Sequence, residues 1–504
     1  MLNFRNAKRF VVLGGGTAGW FAAIAMRRLF SPNIEVRVIE SSKIGIVGVG
    51  EGGLLNLAHA FERYQIPVDR FMAETDATYK WGFCYEGWRT GKEDDRYFHL
   101  FAGGGKAEWT EYGFLPGFSA LIAQQLPLPS YIRGFQAVAH NAPQQEAKQM
   151  VAEGRTDIQT SYHFDSYKTA NFLKTIALER GVIHQDAIVD RVELDEAGNA
   201  TALIIGEESL PVDFVIDASG FARKIVGNTL NAEWVSFKEH LLMDSAIPFY
   251  MPHPFENPIL VTRALAMNAG WMWQIPLVGR VGAGYVYSSK HISDEQALAE
   301  IEQKLGYKIE PHKTLKFDPG CFKEVWHGNI MALGLSSGFV EPLEATSIGQ
   351  MLEQLRNFER VLRAGQGIVS EKSIKEFNQA NLRSWEGIRD FLRMHYDCPR
   401  RDNPFWCDVA ASAMPDDYRE IKQCWQERTP RMLDIENYAI NGWSGVFHVI
   451  NWMFVAAPLG LISEQAAQKE VAALPQASKE KVVQLLQELP SLLGPDWRPR
   501  SSLK

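Results

Sequence analysis

The sequence predicts an α/β protein: a doubly wound domain opening on a glycine-rich turn, an added β-sheet, and a mostly helical C-terminal region packed on them. Two observations near the N-terminus and one at the far end carry this reading. KRFVVLGGGTAGWFAAIAMRRLF is a short apolar strand, a GxGxxG turn and a helix, and NIEVRVIE, ending in Glu40, supplies the next strand of a βαβ unit. From about Phe391 onward the apolar spacing becomes helical and irregular, closing on KEKVVQLLQELPSLL.

The elements between follow in order. NFLKTIALERG reads as a helix stopped by Gly181, and VDFVIDASG as a buried strand running into a glycine. In GWMWQIP, period-two alternation puts Trp271, Trp273 and Ile275 on one face of a strand closed by Pro276, and the alternating apolar positions of GAGYVYSS extend the same added sheet. GNIMALGLSSGFVEPLEATSIGQMLEQLRNFERVLRAGQG reads as strand, loop and amphipathic helix, with Met351, Leu352, Leu355, Phe358 and Leu362 on one face. The expected division is residues 1–390 for the strand-rich module and 391–504 for the helical region, the two packed as one unit.

Composition narrows the function classes. The 504 residues are 46% hydrophobic and 22% charged, ordinary for a globular chain with a sizeable core. A net charge of −8 with scattered Lys and Arg leaves no footprint for nucleic acid. The five cysteines form no CxxC pair, which suits a reducing cytoplasm and offers no metal spacing. Glycines interrupt the first apolar run, so it reads as strand and helix rather than a signal peptide. No apolar stretch reaches the roughly 18 residues of a membrane span. A soluble cytoplasmic protein, with no membrane or nucleic-acid partner, is expected.

Gly14, Gly16 and Gly19 follow the first strand directly, with Thr17 and Ala18 between them, and Glu40 lies 21 residues past Gly19. Such glycines let a pyrophosphate approach a helix N-terminus, and an acid at that offset can accept hydrogen bonds from a ribose. The rest favours FAD over NAD. IGIVGVGEGG sets Gly50 and Glu51 in a run of glycines that lets backbone lie against a flat ring. DASG, from Asp217, resembles the second flavin-contacting strand of the flavin monooxygenases. GNIMALGLSSGFVEP resembles their third motif, with Leu335 where that motif has an aspartate; Ile348 is expected beside the flavin as well. No second GxGxxG would seat a nicotinamide, so FAD is expected to arrive reduced, from a separate flavin reductase.

The run AMNAGWMWQIPLVGRVGAGYVYSS resembles the GWxWxIP signature of the flavin-dependent tryptophan halogenase family. The resemblance spans nearly the whole chain and includes GGGTAGW, GVGE, TYKWGF, HFD at His163–Asp165, HLLMDSA, SSGFVEPLEAT and RRDNPFW. It implies that reduced FAD, oxygen and halide give hypohalous acid, which crosses a protein tunnel to a separate aromatic pocket. Trp271, Trp273, Ile275 and Pro276 would wall that tunnel, keeping the arene from the flavin; plain core packing is the alternative.

Carried over residue by residue, Lys80 in TYKWGF matches the family's tunnel lysine. As an ammonium it would hydrogen-bond hypohalous acid, and as a free amine it would form a haloamine. Glu344 in EPLEAT matches the catalytic glutamate, in preference to Glu341; it would hold Lys80, polarise the oxidant or take the arene proton. Thr346 and Ser347 match the halide-binding amides, with serine where the family has glycine. Serine resists the φ > 0 open to glycine, so a halide pocket of altered shape, with bromide at least as good as chloride, is expected. His99 and Phe101 match the aromatic pair that lines the substrate pocket.

The resemblance breaks at the amino-acid clamp. DIENYAINGWSGVFHVINWMF has no Tyr-Tyr pair, Gly442 stands near the clamp's glutamate, and Val446-Phe447 replaces Phe-Trp. Phe447 can stack and Asn451 can hydrogen-bond, but the charged end of tryptophan would lack partners, which is costly. Indole or a simple derivative is therefore the expected small aromatic substrate. A carrier-bound arene, a hydroxylating flavin monooxygenase and a flavin-binding protein without turnover are the competing readings.

Overall fold

The strand Arg9–Leu13, buried at four of its five positions, lies inside a six-stranded sheet. The computed structural model describes residues 1–45, 48–92, 94–103 and 108–493, so Ile46 and Val47 of the glycine-rich loop lie outside the described residues. The sheet runs Trp326–His327, Ile330–Ala332, Phe214–Asp217, Arg9–Leu13, Glu35–Glu40, Ile183–Asp186, parallel except for the first pair. The helix Thr17–Leu29 packs on helices Ser166–Glu179 and Thr346–Ala364. On the last of these, the stripe from Met351 to Leu362 is buried as its spacing requires. This is the doubly wound α/β domain that the opening motif predicts.

The added sheet has seven strands, in the order Leu315–Lys316, Ser245–Met251, Val281–Tyr287, Gly270–Pro276, Val261–Ala266, Gly82–Glu86, Arg96–Leu100. GWMWQIP is a central strand, buried along its whole length. Alternation sends Trp271, Trp273 and Ile275 into the largest apolar core and Met272 into a smaller one on the opposite face, with Tyr285 and Tyr287. Trp273 lies over Gly284 of the neighbouring strand, where a β-carbon would stand 2.1 Å from the indole ring. Gly284→Ala is therefore expected to cost about 1–3 kcal/mol of overpacking. An unchanged denaturation midpoint in urea would contradict this packing.

A three-stranded sheet of Glu51–Gly52, Ser161–Phe164 and Thr78–Lys80 joins the two larger ones and gathers the GVGE, HFD and TYK motifs. The C-terminal part is helical, with helices Pro404–Ala411, Asp416–Glu427, Val449–Ala456, Glu464–Ala473 and Gln476–Leu493. The helix Glu371–His395 runs through position 390, so the strand-rich and helical parts are joined by a shared element. The largest core likewise contains Trp81 and Phe83 from the first part and Trp452 and Phe454 from the second. Among the described residues no helix is long and apolar enough to cross a membrane, and no cluster of three or more His, Cys, Asp or Glu is placed to hold a metal.

Candidate functional site

At the nucleotide turn, Gly14 adopts φ +119°, and a β-carbon there would lie 2.2 Å from the Ala218 carbonyl oxygen. One on Gly19 would lie 1.9 Å from the Gly14 carbonyl, so the helix rests directly on the strand end. Around Gly16, by contrast, a β-carbon would meet nothing within 4 Å, and Gly16 is the N-cap of Thr17–Leu29. The buried Thr17 hydroxyl has no hydrogen-bond partner. An open helix N-terminus with an unused hydroxyl fits a pyrophosphate. Gly15 also proves necessary, because a β-carbon there would sit 1.6 Å from Glu40 Oε2; the GxGxxG pattern by itself leaves that position free. Glu40 closes the strand as expected and pairs with Lys174 Nζ at 2.9 Å and His184 Nε2 at 3.0 Å.

The second and third flavin motifs meet the first. Asp217 accepts from the Ser219, Ile225 and Val226 amides and so shapes its own loop. Gly334, at φ +62°, packs on Ala18, which brings half-buried Leu335 to the start of the first helix. Gly50, at φ +153°, lies against Leu277, and burial raises the neighbouring Glu51 carboxyl to about 7. These residues fit a dinucleotide. Ile348 is buried in the first turn of the helix Thr346–Ala364.

Lys80 ends its short strand fully buried, its Nζ 3.9 Å from the centre of the Phe83 ring and 5.4 Å from that of Phe101. That Nζ has no hydrogen-bond partner. Of the roles expected of Glu344, holding Lys80 is carried by charge through space and by no direct hydrogen bond. Burial pushes the amine down to about 7, opposed by the Glu344 charge. Beside it His163 bridges Thr78 and Thr262, and the Thr78 hydroxyl donates to the Pro276 carbonyl at 2.6 Å, so TYKW, HFD and GWMWQIP converge on one point.

Glu344 is also fully buried, with φ 64° and ψ 11°. Its carboxylate meets His99 Nδ1 at 2.8 and 2.9 Å, His395 Nε2 at 3.1 Å, and the donating hydroxyl of Tyr85. Burial alone would raise this group; the facing imidazoles outweigh it and hold the carboxyl well below its usual range. Glu341 has the opposite environment. Its Oε2 accepts from Trp271 Nε1 at 2.7 Å and from the Tyr396 hydroxyl, Oε1 has no partner, and burial raises it to about 7. Two carboxyls three residues apart are thus shifted in opposite directions. One tryptophan of the indole pair anchors a carboxyl and the other covers a glycine.

Glu344 and Ala345 are both left-handed, with φ 64° and 53°, and this kink starts the helix Thr346–Ala364 beside the carboxylate. The buried Thr346 hydroxyl is unpartnered. Ser347 lies inside the helix, while positive φ falls on the two residues before it. The expectation of a pocket reshaped by serine's aversion to positive φ is thereby overturned; serine adds a hydroxyl and leaves the backbone alone.

His99 stacks near Phe83 at 5.8 Å, and Phe83 meets Phe101 edge-on at 5.7 Å. Asn451 Nδ2 reaches His99 Nε2 at 2.9 Å, and Phe447 stacks on Phe391 at 3.8 Å. Lys80, Glu344, His99, Phe101, Phe447 and Asn451 therefore share one buried neighbourhood. Sequence reasoning left out Tyr85 and His395. Alternation of Tyr85 with Phe83 along Gly82–Glu86 signals the first, and the four-residue spacing of His395 from Phe391 the second. Gly442 is exposed, a β-carbon there 2.9 Å from Arg360, and contributes nothing to this neighbourhood.

Comparison with known proteins adds to this geometry. A family model described as tryptophan halogenase matches residues 9–476. The protein y4xG of Sinorhizobium fredii is 43% identical over 484 residues, covering 96% of this chain and 95% of its own. The 7-chloro-L-tryptophan 6-halogenase KtzR of Kutzneria sp. is 30% identical over 509 residues, covering 95% and 97%. Among solved structures, Xcc4156, a flavin-dependent halogenase from Xanthomonas campestris, superposes with a TM-score of 0.83 at 28% identity over 97% of this chain and 96% of its own.

Proposed function

Because the chain belongs to the tryptophan halogenase family, we propose that it is a two-component halogenase of a small, electron-rich arene, indole or a simple derivative. As a member it is an FAD-dependent, oxidoreductase-type enzyme, and such halogenases draw on a separate flavin reductase and act on aromatic substrates. Bound FAD, delivered reduced, supplies the oxygen activation that turns halide into hypohalous acid.

The chain's own residues do the rest. The Gly16 turn, Thr17 and Glu40 hold the dinucleotide, and the Thr346 end of its helix, with Ser347, receives the halide. Trp271, Trp273, Ile275 and Pro276 wall the passage and keep arene and flavin apart. Lys80 meets the oxidant in a dry setting of aromatic rings, near-neutral in its own titration, so it can donate a hydrogen bond that makes the halogen more electrophilic. Glu344, held ionised, accepts the proton when the cationic arene regains aromaticity. Phe447 stacks on the ring and Asn451 fixes His99. The observation that carries this reading is the buried, unpartnered Lys80 amine near a carboxylate held ionised.

The arene is small because Val446, Phe447 and Asn451 offer no charged partner for an amino-acid end. Bromide serves at least as well as chloride, since it is the more easily oxidised halide. The test supplies the protein with FAD, a flavin reductase, NADH, oxygen, bromide and indole, and looks by mass spectrometry for the one-to-one bromine doublet. Tight, regioselective turnover of free tryptophan would sink the substrate assignment, and chloride turnover clearly above bromide would sink the halide one. An absent doublet with flavin reoxidation intact would mean a different arene.

A further inference from the structure

The contacts around Glu344 fix where protons reside. The Asn451 Oδ1 accepts the His448 amide at 2.8 Å, so the Asn451 Nδ2 faces His99 and the imidazole Nε2 must accept. His99 therefore carries its proton on Nδ1 and donates it to Glu344. His395 differs. Its Nδ1 lies 2.9 Å from the Phe391 carbonyl, which can only accept, so that nitrogen is protonated. Its Nε2 then faces Glu344 Oε1 at 3.1 Å and the Tyr85 oxygen at 3.2 Å, and the Tyr85 proton is already committed to Glu344. A lone pair facing a carboxylate oxygen at that distance would repel it. One more proton is needed between them.

We infer that His395 Nε2 and Glu344 share this proton, which makes His395 a positioning residue that fixes the pH range over which Glu344 serves as proton acceptor. With the shared proton on Nε2, the pair is an imidazolium and a carboxylate. When the halogenated arene loses its ring proton, the C–H bond breaks and its electron pair restores the aromatic ring. The proton goes to Glu344, and nothing is oxidised or reduced. The other titratable groups facing the pair are Tyr85 and Tyr97 from the seven-stranded sheet, His99 beside them, Lys80 across the Phe83 ring, and Glu341 with Tyr396. Tyr97, Tyr396 and Tyr85 are held neutral by burial. Glu359 and its arginines lie elsewhere, around Tyr64.

The inference rests on the proposed role of Glu344, and two measurements separate their failures. The first needs no turnover: imidazole nitrogen NMR of histidine-labelled protein, assigned with His395→Gln. A doubly protonated His395 at pH 7, losing one proton in Glu344→Gln, is expected. A singly protonated His395 in the unaltered protein would overturn the inference. The second is the pH profile of His395→Gln, whose amide keeps a donor but holds no charge. Its acid limb is expected to move up by at least one pH unit, with KM unchanged and kcat recovered on the alkaline side of that limb. A uniform loss at every pH would mean a merely structural role. Absence of halogenation by the unaltered protein, with His395 doubly protonated, would fault the functional reading alone.

Discussion

Lys80→Met is expected to give a protein that binds FAD and reoxidises it normally, is more stable than its parent, and yields no detectable halogenated product. Methionine matches the shape of the lysine stem and fills irregular apolar space well. What it removes is an amine with no hydrogen-bond partner, set between the rings of Phe83 and Phe101. Leaving such a group buried costs about 1–3 kcal/mol, and the substitution should return that much. The sign with pH is fixed by the shift from 10.5 to about 7. Below pH 7 the folded state must bury an ammonium, so the gain is greatest there; it shrinks as pH rises toward 10.5, where the unfolded chain also loses its proton. Unfolding in urea at pH 6 and pH 10, beside the bromine-doublet assay, tests both halves. A destabilised Lys80→Met would mean that the amine has a partner in solution. A doublet as strong as the parent's would mean that hypobromite acts without guidance.

Glu344→Gln is expected to lower halogenation by about 10²–10⁴-fold, the usual worth of a positioned acid or base, while flavin reoxidation and arene KM change little. The amide has nearly the same shape but carries no charge, and its NH2 would confront either the Nδ1–H of His99 or the shared proton at His395. Glu341→Gln is the matched control. That carboxyl is raised to about 7, so an amide that still accepts from Trp271 and Tyr396 resembles its protonated form, and activity within about tenfold of the parent is expected. Single-turnover measurements with reduced FAD separate the chemical step from flavin delivery. Equal losses in the two variants would remove the distinction drawn between the carboxyls.

The fold was largely legible because its elements are written in local patterns. GGGTAGW after an apolar strand, Glu40 at the end of the next, and the stripe from Met351 to Leu362 each depend on spacing within one element. GWMWQIP also alternated as a strand should. The Lys80 and Glu344 motifs could be picked out, yet their mutual arrangement could not. Whether Lys80 bonds Glu344 depends on Phe83 and Phe101 filling the space around its amine, and on two histidines from distant segments reaching the carboxylate first. His395 arrives there because its helix packs against the sheet, and single-chain spacing carries no record of that. Ser347 was misjudged for a related reason: the residue type was known, while the kink that would strain it lies at Glu344 and Ala345.

That kink has a further consequence. Two left-handed residues in succession, neither of them glycine, are held at a cost of about 1–3 kcal/mol each, and one bend orients two things at once. It places the buried Glu344 carboxylate among its histidines, and it starts the helix at the buried Thr346. With the roles proposed for Thr346 and Glu344, anion and arene would be registered to a single fixed point, like two gauges read from one datum. Redesign for a new halide and redesign for a new ring are then not separable tasks. A loop substitution that relaxes the bend shifts both settings together, and the variants that keep selectivity will be those that leave residues 344 and 345 strained.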